Sequence, residues 1–180
     1  MELCTERLVL KETTWDDVEL IHSLHCVKEV EEFNTIGIPR HTGDTLEVML
    51  VALEDQQSVP RTHFAWTVWL RDTRQFVGEA GMHLSADRFR RGEIHYSLFP
   101  EYWQNGYATE IVKNIISFGF RELNLHRIEA GVAKDNARSI RVVEKAGMQC
   151  EGLRRKSLPI RGEWIDNFQY AILEDDPKDY

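Results

Sequence analysis

Between residues 62 and 99 the apolar positions recur at every second residue, whereas on both sides of that stretch they recur at every third or fourth. Alternation over 63–70, 76–84 and 93–99, with Trp, Phe, Val and Ile prominent, predicts three strands. The polar connections at 71–74 and 86–92 favour an antiparallel meander. In the third strand Ile94, Tyr96 and Leu98 share one face, and Glu93, His95 and Ser97 share the other. Pro100 ends that strand, having no amide proton to give.

Ahead of the meander, 7–11 reads as a short strand and 17–27 as a helix with Val18, Ile21, Leu24 and Val27 on one face. The stretch 29–43, with Gly37, Pro39 and Gly43, reads as a loop, and 44–53 as a second helix. A loop between two such helices is a plausible recognition surface. Beyond the meander, Ile111, Val112, Ile115, Ile116, Gly119 and Phe120 mark one face of a helix over 108–123. A strand at 126–132 follows, and then a helix capped by Asp135-Asn136 with the stripe Ala137, Ile140, Val143 and Ala146, ending at Gly147. Strands at 148–154 and 164–173, separated by 159–162, and a frayed acidic tail at 174–180 complete the chain. Antiparallel meander followed by βαβ crossovers makes an α/β fold of mixed-sheet type with helices on both faces.

The 180 residues, 42% apolar and 29% charged, fit one domain over 1–180. A formal charge of -8 argues against nucleic acid as partner and mildly favours cationic ones, amines or basic peptides. Cys4, Cys26 and Cys150 are odd in number, far apart and without CxxC spacing, which suggests neither a disulfide framework nor a zinc site and points to a reducing, cytoplasmic setting. No signal peptide or membrane-length apolar run is present. His22 and His25, three apart with no third ligand in view, read as solvated helix positions rather than a metal site. Trp15, Trp66, Trp69 and Trp164 read first as core, with an acceptor cleft or a homodimer interface as alternatives.

The candidate chemistry lies at 100–110, Pro-Glu-Tyr-Trp-Gln-Asn-Gly-Tyr-Ala-Thr-Glu, where a strand runs into a helix through a tight turn. The first amides of a helix lack intrahelical acceptors and, with the helix dipole, form a site for a phosphate. Gly106 lets the backbone approach a ligand, and Ala108 keeps the helix entry clear. Taken alone, the same residues also describe an ordinary strand-to-helix turn.

Further residues place the turn in context. Trp103 to Glu110, Arg127-Ile128-Glu129-Ala130, Asn136 with Ser139-Ile140, Glu144 to Met148, Glu151-Gly152, and Gly162 with Asp166 occur in an order and spacing that resemble the GNAT acetyltransferase superfamily. The likeness is closest to its ribosomal-protein N-terminal (RimJ/RimL type) branch. It covers roughly 93–173. It implies an acetyl-CoA site in which Gln104, Asn105, Gly106, Tyr107, Ala108 and Thr109 cradle the pyrophosphate. Leu98 and Phe99 would pair with the pantetheine arm where the third strand splays from the strand at Ile128, and Asn136 and Ser139 would reach the cofactor arm. It also implies acetyl transfer to a primary amine, foremost a protein N-terminal amine, with a polyamine or aminoglycoside, or a non-catalytic acyl-CoA-binding module, as alternatives. No metal is called for.

Direct attack on the thioester needs a proton acceptor for the amine and a donor for the departing sulfur. Glu93 is the candidate base, with Glu79 on the neighbouring strand and Asp166 behind it, and Ser139 is the candidate hydroxyl. His83 and His95 lie on strands near the same place. Three positions depart from the family pattern: Val143 where a tyrosine is common, Gly131 where some N-terminal acetyltransferases carry a glutamate, and Trp103-Gln104 in place of a basic residue and glycine.

Overall fold

Alternation over 63–99 builds the expected meander: β3 (His63–Leu70), β4 (Phe76–Leu84) and β5 (Arg91–Leu98) pair antiparallel in sequence order. The computed structural model describes residues 1–178. On one side of the meander lie β1 (Glu2–Cys4) and β2 (Leu8–Glu12), and on the other β6 (Arg127–Ala133), β7 (Gln149–Ile160) and β8 (Glu163–Leu173). Together they form an eight-stranded sheet in the order β1-β2-β3-β4-β5-β6-β8-β7.

All neighbours are antiparallel except β5 and β6, which run parallel. That pair is joined through α4 (Tyr107–Arg121) and meets over only three rungs, Arg91–Arg127, Gly92–Ile128 and Glu93–Glu129. Beyond Glu93 the two strands part, and the sheet opens between them.

Alternation assigns the two faces. Phe64, Trp66, Val68, Ala80, Met82 and Ile94 join the fully buried Ile111, Val112, Ile115 and Ile116 of α4 in the main core. The opposite face meets α1 (Val18–His25) and α3 (Thr42–Asp55), where Ile21, Met49 and Leu53 form a second, smaller cluster. Glu79 sits between the core residues of β4 and faces α1, where it bonds His25. The sequence pattern correctly separated these layers because each element carries one apolar face.

Several boundaries differ from the sequence reading. The stretch 29–43 is not all loop: it contains α2 (Lys28–Glu31), and α3 begins at Thr42 under a His41 cap. Strand β7 runs through Pro159 to Ile160 instead of stopping at 154, because an edge strand can hold a proline whose missing donor would face outward. The strand β1 carries too few residues to show a period. The described part of the acidic tail is not frayed: Glu174 bonds Arg90 and His126, and the Lys178 ammonium donates to the carbonyls of Leu173, Glu174 and Asp176. Residues 179 and 180 of that tail lie outside the described residues. Trp66 is fully buried and Trp69 half-buried, whereas Trp15 and Trp164 are exposed.

The start of α4 is held from the far edge of the sheet. Glu110 accepts from the Thr5 hydroxyl, from the Arg7 amide at 2.9 Å and from the Arg7 guanidinium at 2.8 and 2.7 Å. Burial opposes the charge on Glu110, but these hydrogen bonds outweigh it and hold its pKa below the usual glutamate value. Its stabilising contribution is therefore present above about pH 4.3 and is lost as pH falls through the depressed value. Glu110→Gln is expected to lower stability at pH 7 by about 1–2 kcal/mol, allowing for partial exposure. In urea denaturation the gap to wild type should close below about pH 4.

Candidate active site

The turn between β5 and α4 forms because Trp103 to Gly106 reverse the chain with two left-handed residues, Gln104 (φ 62°) and Gly106 (φ 83°). Gln104 stands where the family pattern has glycine, and a non-glycine residue in this left-handed conformation costs on the order of 1 kcal/mol. Gly106 occupies the N-cap of α4 and supplies no side-chain cap, so the first amides of the helix have no capping side chain. Arg7 steadies the turn, donating to the Asn105 carbonyl at 2.9 Å and stacking over the Tyr107 ring at 4.6 Å.

Two cavities flank the parted strands. The first, of about 460 Å³, runs along the turn and is lined by Leu98, Gln104, Gly106, Tyr107, Ala108, Thr109, Asn136 and Ser139. There Arg138, Arg141 and Lys145 of α5 (Ala137–Lys145) outnumber the one carboxylate among the described residues, Glu29, and Arg138 is paired with Glu32 at 3.2 Å. Phe99 and Asn105 do not line it. The Phe99 amide donates to the Val77 carbonyl at 3.0 Å, so by strand alternation it is Leu98, not Phe99, whose backbone faces the gap. The Asn105 side chain folds back onto the Trp103 carbonyl at 3.0 Å. The Trp103 indole donates to the Leu98 carbonyl at 2.8 Å, and the Arg138 guanidinium stacks on that indole at 4.2 Å. Uncapped helix amides, three cations and an open strand edge suit a long anionic ligand with an extended arm.

The second cavity, of about 490 Å³, lies under α1 and α3. Its walls include Val30, Phe33 and Ile36, from the stretch read as a recognition loop, and Val48 and Val51 of α3. Its floor carries His25, His63, His83, His95 and Glu79. The two cavities meet where Tyr96, Ser97, Asn136 and Ser139 line both. None of Trp15, Trp66, Trp69 and Trp164 lines either one.

Asn136 caps α5 by accepting from the Ser139 amide at 3.1 Å, which fixes Ser139 at the junction. Glu93 is placed elsewhere. It is exposed, sits on the last rung of the β5–β6 pairing and lines neither cavity. Ser97 is four residues further on, ~13 Å along the strand. The carboxylate beside the junction is Glu79, which the register sets directly opposite Ser97. Asp166 serves the β7–β8 hairpin, where it accepts from the Lys156 amide at 2.9 Å.

His25 is not a solvated helix position. Its side chain is 4% exposed, and its Nε2 lies 2.6 Å from Glu79 Oε1. Burial works against a charged His25, but the hydrogen bond and charge of Glu79 outweigh it and raise its pKa. His95 is displaced the other way: burial dominates, His25 and His63 add repulsion, and the charges of Glu79 and Glu93 do not compensate. His22 bonds Thr45 at 2.8 Å, and His63 stacks on His83 with ring centroids 4.4 Å apart. Among the described residues no group of three or more His, Cys, Asp or Glu is arranged to hold a metal ion.

A helix start with no side-chain cap thus lies beside an interrupted sheet, with a second cavity adjoining it. Residues 7–149 match the acetyltransferase (GNAT) domain family, and the chain belongs to it. An uncharacterised N-acetyltransferase of Bacillus subtilis, YoaA, is 32% identical over 94% of this chain and 95% of its own length. The fold is shared with a spermidine N-acetyltransferase of Vibrio cholerae solved with CoA and spermine (TM-score 0.83, 20% identity, 96% and 98% covered). It is shared too with a ribosomal-protein-S5-alanine acetyltransferase of Vibrio fischeri (TM-score 0.81, 22% identity, 98% of each chain covered).

The His25–Glu79 pair stabilises the fold fully below about pH 6.5, and that contribution declines as pH rises through the raised His25 value. Replacing Glu79 by Gln leaves burial as the main influence on His25. Its imidazole is then expected to titrate below about 6.5 instead of above it, as read by NMR.

Proposed function

We propose that the protein transfers the acetyl group of acetyl-CoA directly to the N-terminal α-amino group of a peptide or protein, in a reducing, cytoplasmic setting. The observation that carries this reading is the meeting of a cationic cleft and a separate, largely apolar cavity at Tyr96, Ser97, Asn136 and Ser139. In this reading the amides of Gly106 to Thr109 hold the pyrophosphate and the gap edge at Leu98 pairs with the pantetheine arm. Bound acetyl-CoA supplies an activated acyl group. Ser139 donates to the departing sulfur.

The acceptor cavity favours an α-amine over a polyamine for two reasons. Among the described residues Glu79 is the lone carboxylate on its lining, and it is already paired with His25, so nothing remains to balance several positive charges. An α-amino group also has a pKa of about 7.7–8.0, against about 10.4 for a lysine-type amine. A neutral histidine can take its proton near pH 7. His95 suits that role, since its side chain is open to the acceptor cavity it lines, while the protein packed around that cavity lowers its pKa and so favours the uncharged imidazole. Facing it are Glu79 on β4, Glu93 on β5, His25 on α1 and His63 on β3.

Thiol release from acetyl-CoA by the purified protein, screened over N-terminal peptides, polyamines and aminoglycosides beside calorimetry with CoA, tests the assignment. Turnover is expected with peptides. Turnover confined to polyamines would overturn the acceptor, and CoA binding without turnover on any amine would make the protein an acyl-CoA-binding module.

The base assignment predicts a pH profile. Since His95 must be neutral to act, kcat should be level above about pH 6.5 and fall as the pH drops through its lowered pKa. His95→Gln is expected to lower kcat about 100-fold and to abolish that acid limb. An unchanged limb in the variant would assign the base to another group.

A further inference from the structure

The junction of the cavities holds a polar group that the transfer reaction, as set out above, does not use. Tyr96 lines both cavities from β5, and its ring packs against the main core. Its hydroxyl oxygen is buried, and among the described residues no hydrogen-bond partner reaches it. Ser139 is the polar side chain beside it. Leaving such a donor unmade costs about 1–3 kcal/mol, whereas a small rotation of the Ser139 side chain would satisfy it.

We propose that Tyr96 is a positioning residue: its hydroxyl donates to Ser139 Oγ and so commits the serine's own proton to the thioester sulfur at the meeting point of the two cavities. The inference rests on the acetyl-CoA reading above. A serine hydroxyl is a free rotor that can point its proton in several directions. Here its amide is fixed by Asn136, and the neighbouring phenol fixes the hydroxyl as well. Burial pushes the Tyr96 pKa up to about 12, so the phenol keeps its proton throughout and has an O–H to donate. Ser139 Oγ accepts that proton's hydrogen bond, and the Ser139 O–H is left for the cavity.

During transfer the amine nitrogen forms a bond to the carbonyl carbon, the carbon–sulfur bond breaks, and its electron pair stays on sulfur. The amine proton leaves to His95. The Ser139 O–H stabilises the thiolate by hydrogen bonding, and water supplies the proton that completes the thiol. Tyr96 neither gains nor loses a proton. Val143 lines the acceptor cavity but carries no hydroxyl, and among the described residues the hydroxyl side chains lining both cavities are Tyr96, Ser97 and Ser139.

The test uses the full chain with Tyr96→Phe, Ser139→Ala and the double variant. Each single change is expected to lower kcat about 10- to 100-fold, with the KM for acetyl-CoA unchanged within about twofold. The double variant should be no slower than Ser139→Ala, because the two hydroxyls act as one unit. Independently of turnover, the thiol of bound CoA, followed by thiolate absorbance, should titrate about one pH unit higher in both single variants. Replacing Tyr96 by 3-fluorotyrosine, a stronger donor of nearly the same shape, should preserve kcat at neutral pH.

Tyr96→Phe with wild-type kcat and wild-type thiol titration would overturn the proposal, as would single effects that multiply in the double variant. CoA binding with an unshifted thiol titration would overturn this role alone. Failure of the wild-type protein to bind CoA would overturn the acetyl-CoA reading and this inference with it.

Discussion

The structure depends on the parting of β5 from β6 after three rungs. A sheet interrupted in this way leaves backbone donors and acceptors unpaired on two facing edges, and such groups cost free energy unless water or a ligand meets them. The gap is sustained from both sides. Helix α4 crosses between the strands with Ile111, Val112, Ile115 and Ile116 fully buried, and α5 docks through Val143 and Ala146. Because the core fixes both strands, the edges cannot zip together to satisfy themselves. The Trp103 indole covers the Leu98 carbonyl and limits the cost on one edge. Everything that gives the site its shape follows from that gap: the helix start at its end, the cleft along α4 and the second cavity beneath.

The electrostatics of the second cavity show how one environment sends two like groups in opposite directions. His25 and His95 both face Glu79, the first buried and the second open to the cavity, yet only His25 makes the 2.6 Å bond to the carboxylate. That bond is strong enough to overcome the burial of His25, whereas His95 sees only the more distant charge and stays neutral. Gly81 makes the arrangement possible. It stands opposite His95 in the β4–β5 register, and a Cβ there would come within 2.3 Å of the imidazole. The absence of a side chain at 81 lets the ring lie against the strand.

Much of this was legible in the chain. The meander, the amphipathic α4, the Asn136 cap and the phosphate-type turn all rest on local periodicity or local backbone chemistry, which sequence spacing records directly. What was not legible depends on register. Glu93 and Glu79 are equally acidic strand residues, and only the pairing of Glu79 with Ser97 across the 85–90 connection puts one of them at the junction. His25 carried a helical spacing without any sign of the strand carboxylate 54 residues away that buries it. The orphaned hydroxyl of Tyr96 was hidden for a similar reason. Alternation gives its face, but the packing of α5 over that face decides whether a partner reaches it.

Gly131 leaves the β6 wall of the second cavity without a side chain at that position. A Cβ at 131 would lie 3.0 Å from the Asn167 amide nitrogen, and Asn167 is 4% exposed on β8, two residues from the partner of Gly131 in the register. A side chain at 131 would press on the Asn167 amide, which would have to give by a few tenths of an ångström, and with glycine there that wall of the cavity is bare backbone. The opposite wall has the room: Gly81 admits the His95 ring, and Glu79 is held by His25 from the helix above. A carboxylate on β6 would also add a second negative charge beside a neutral imidazole and raise its pKa toward the charged form. With no carboxylate at 131, the His95 pKa stays lowered.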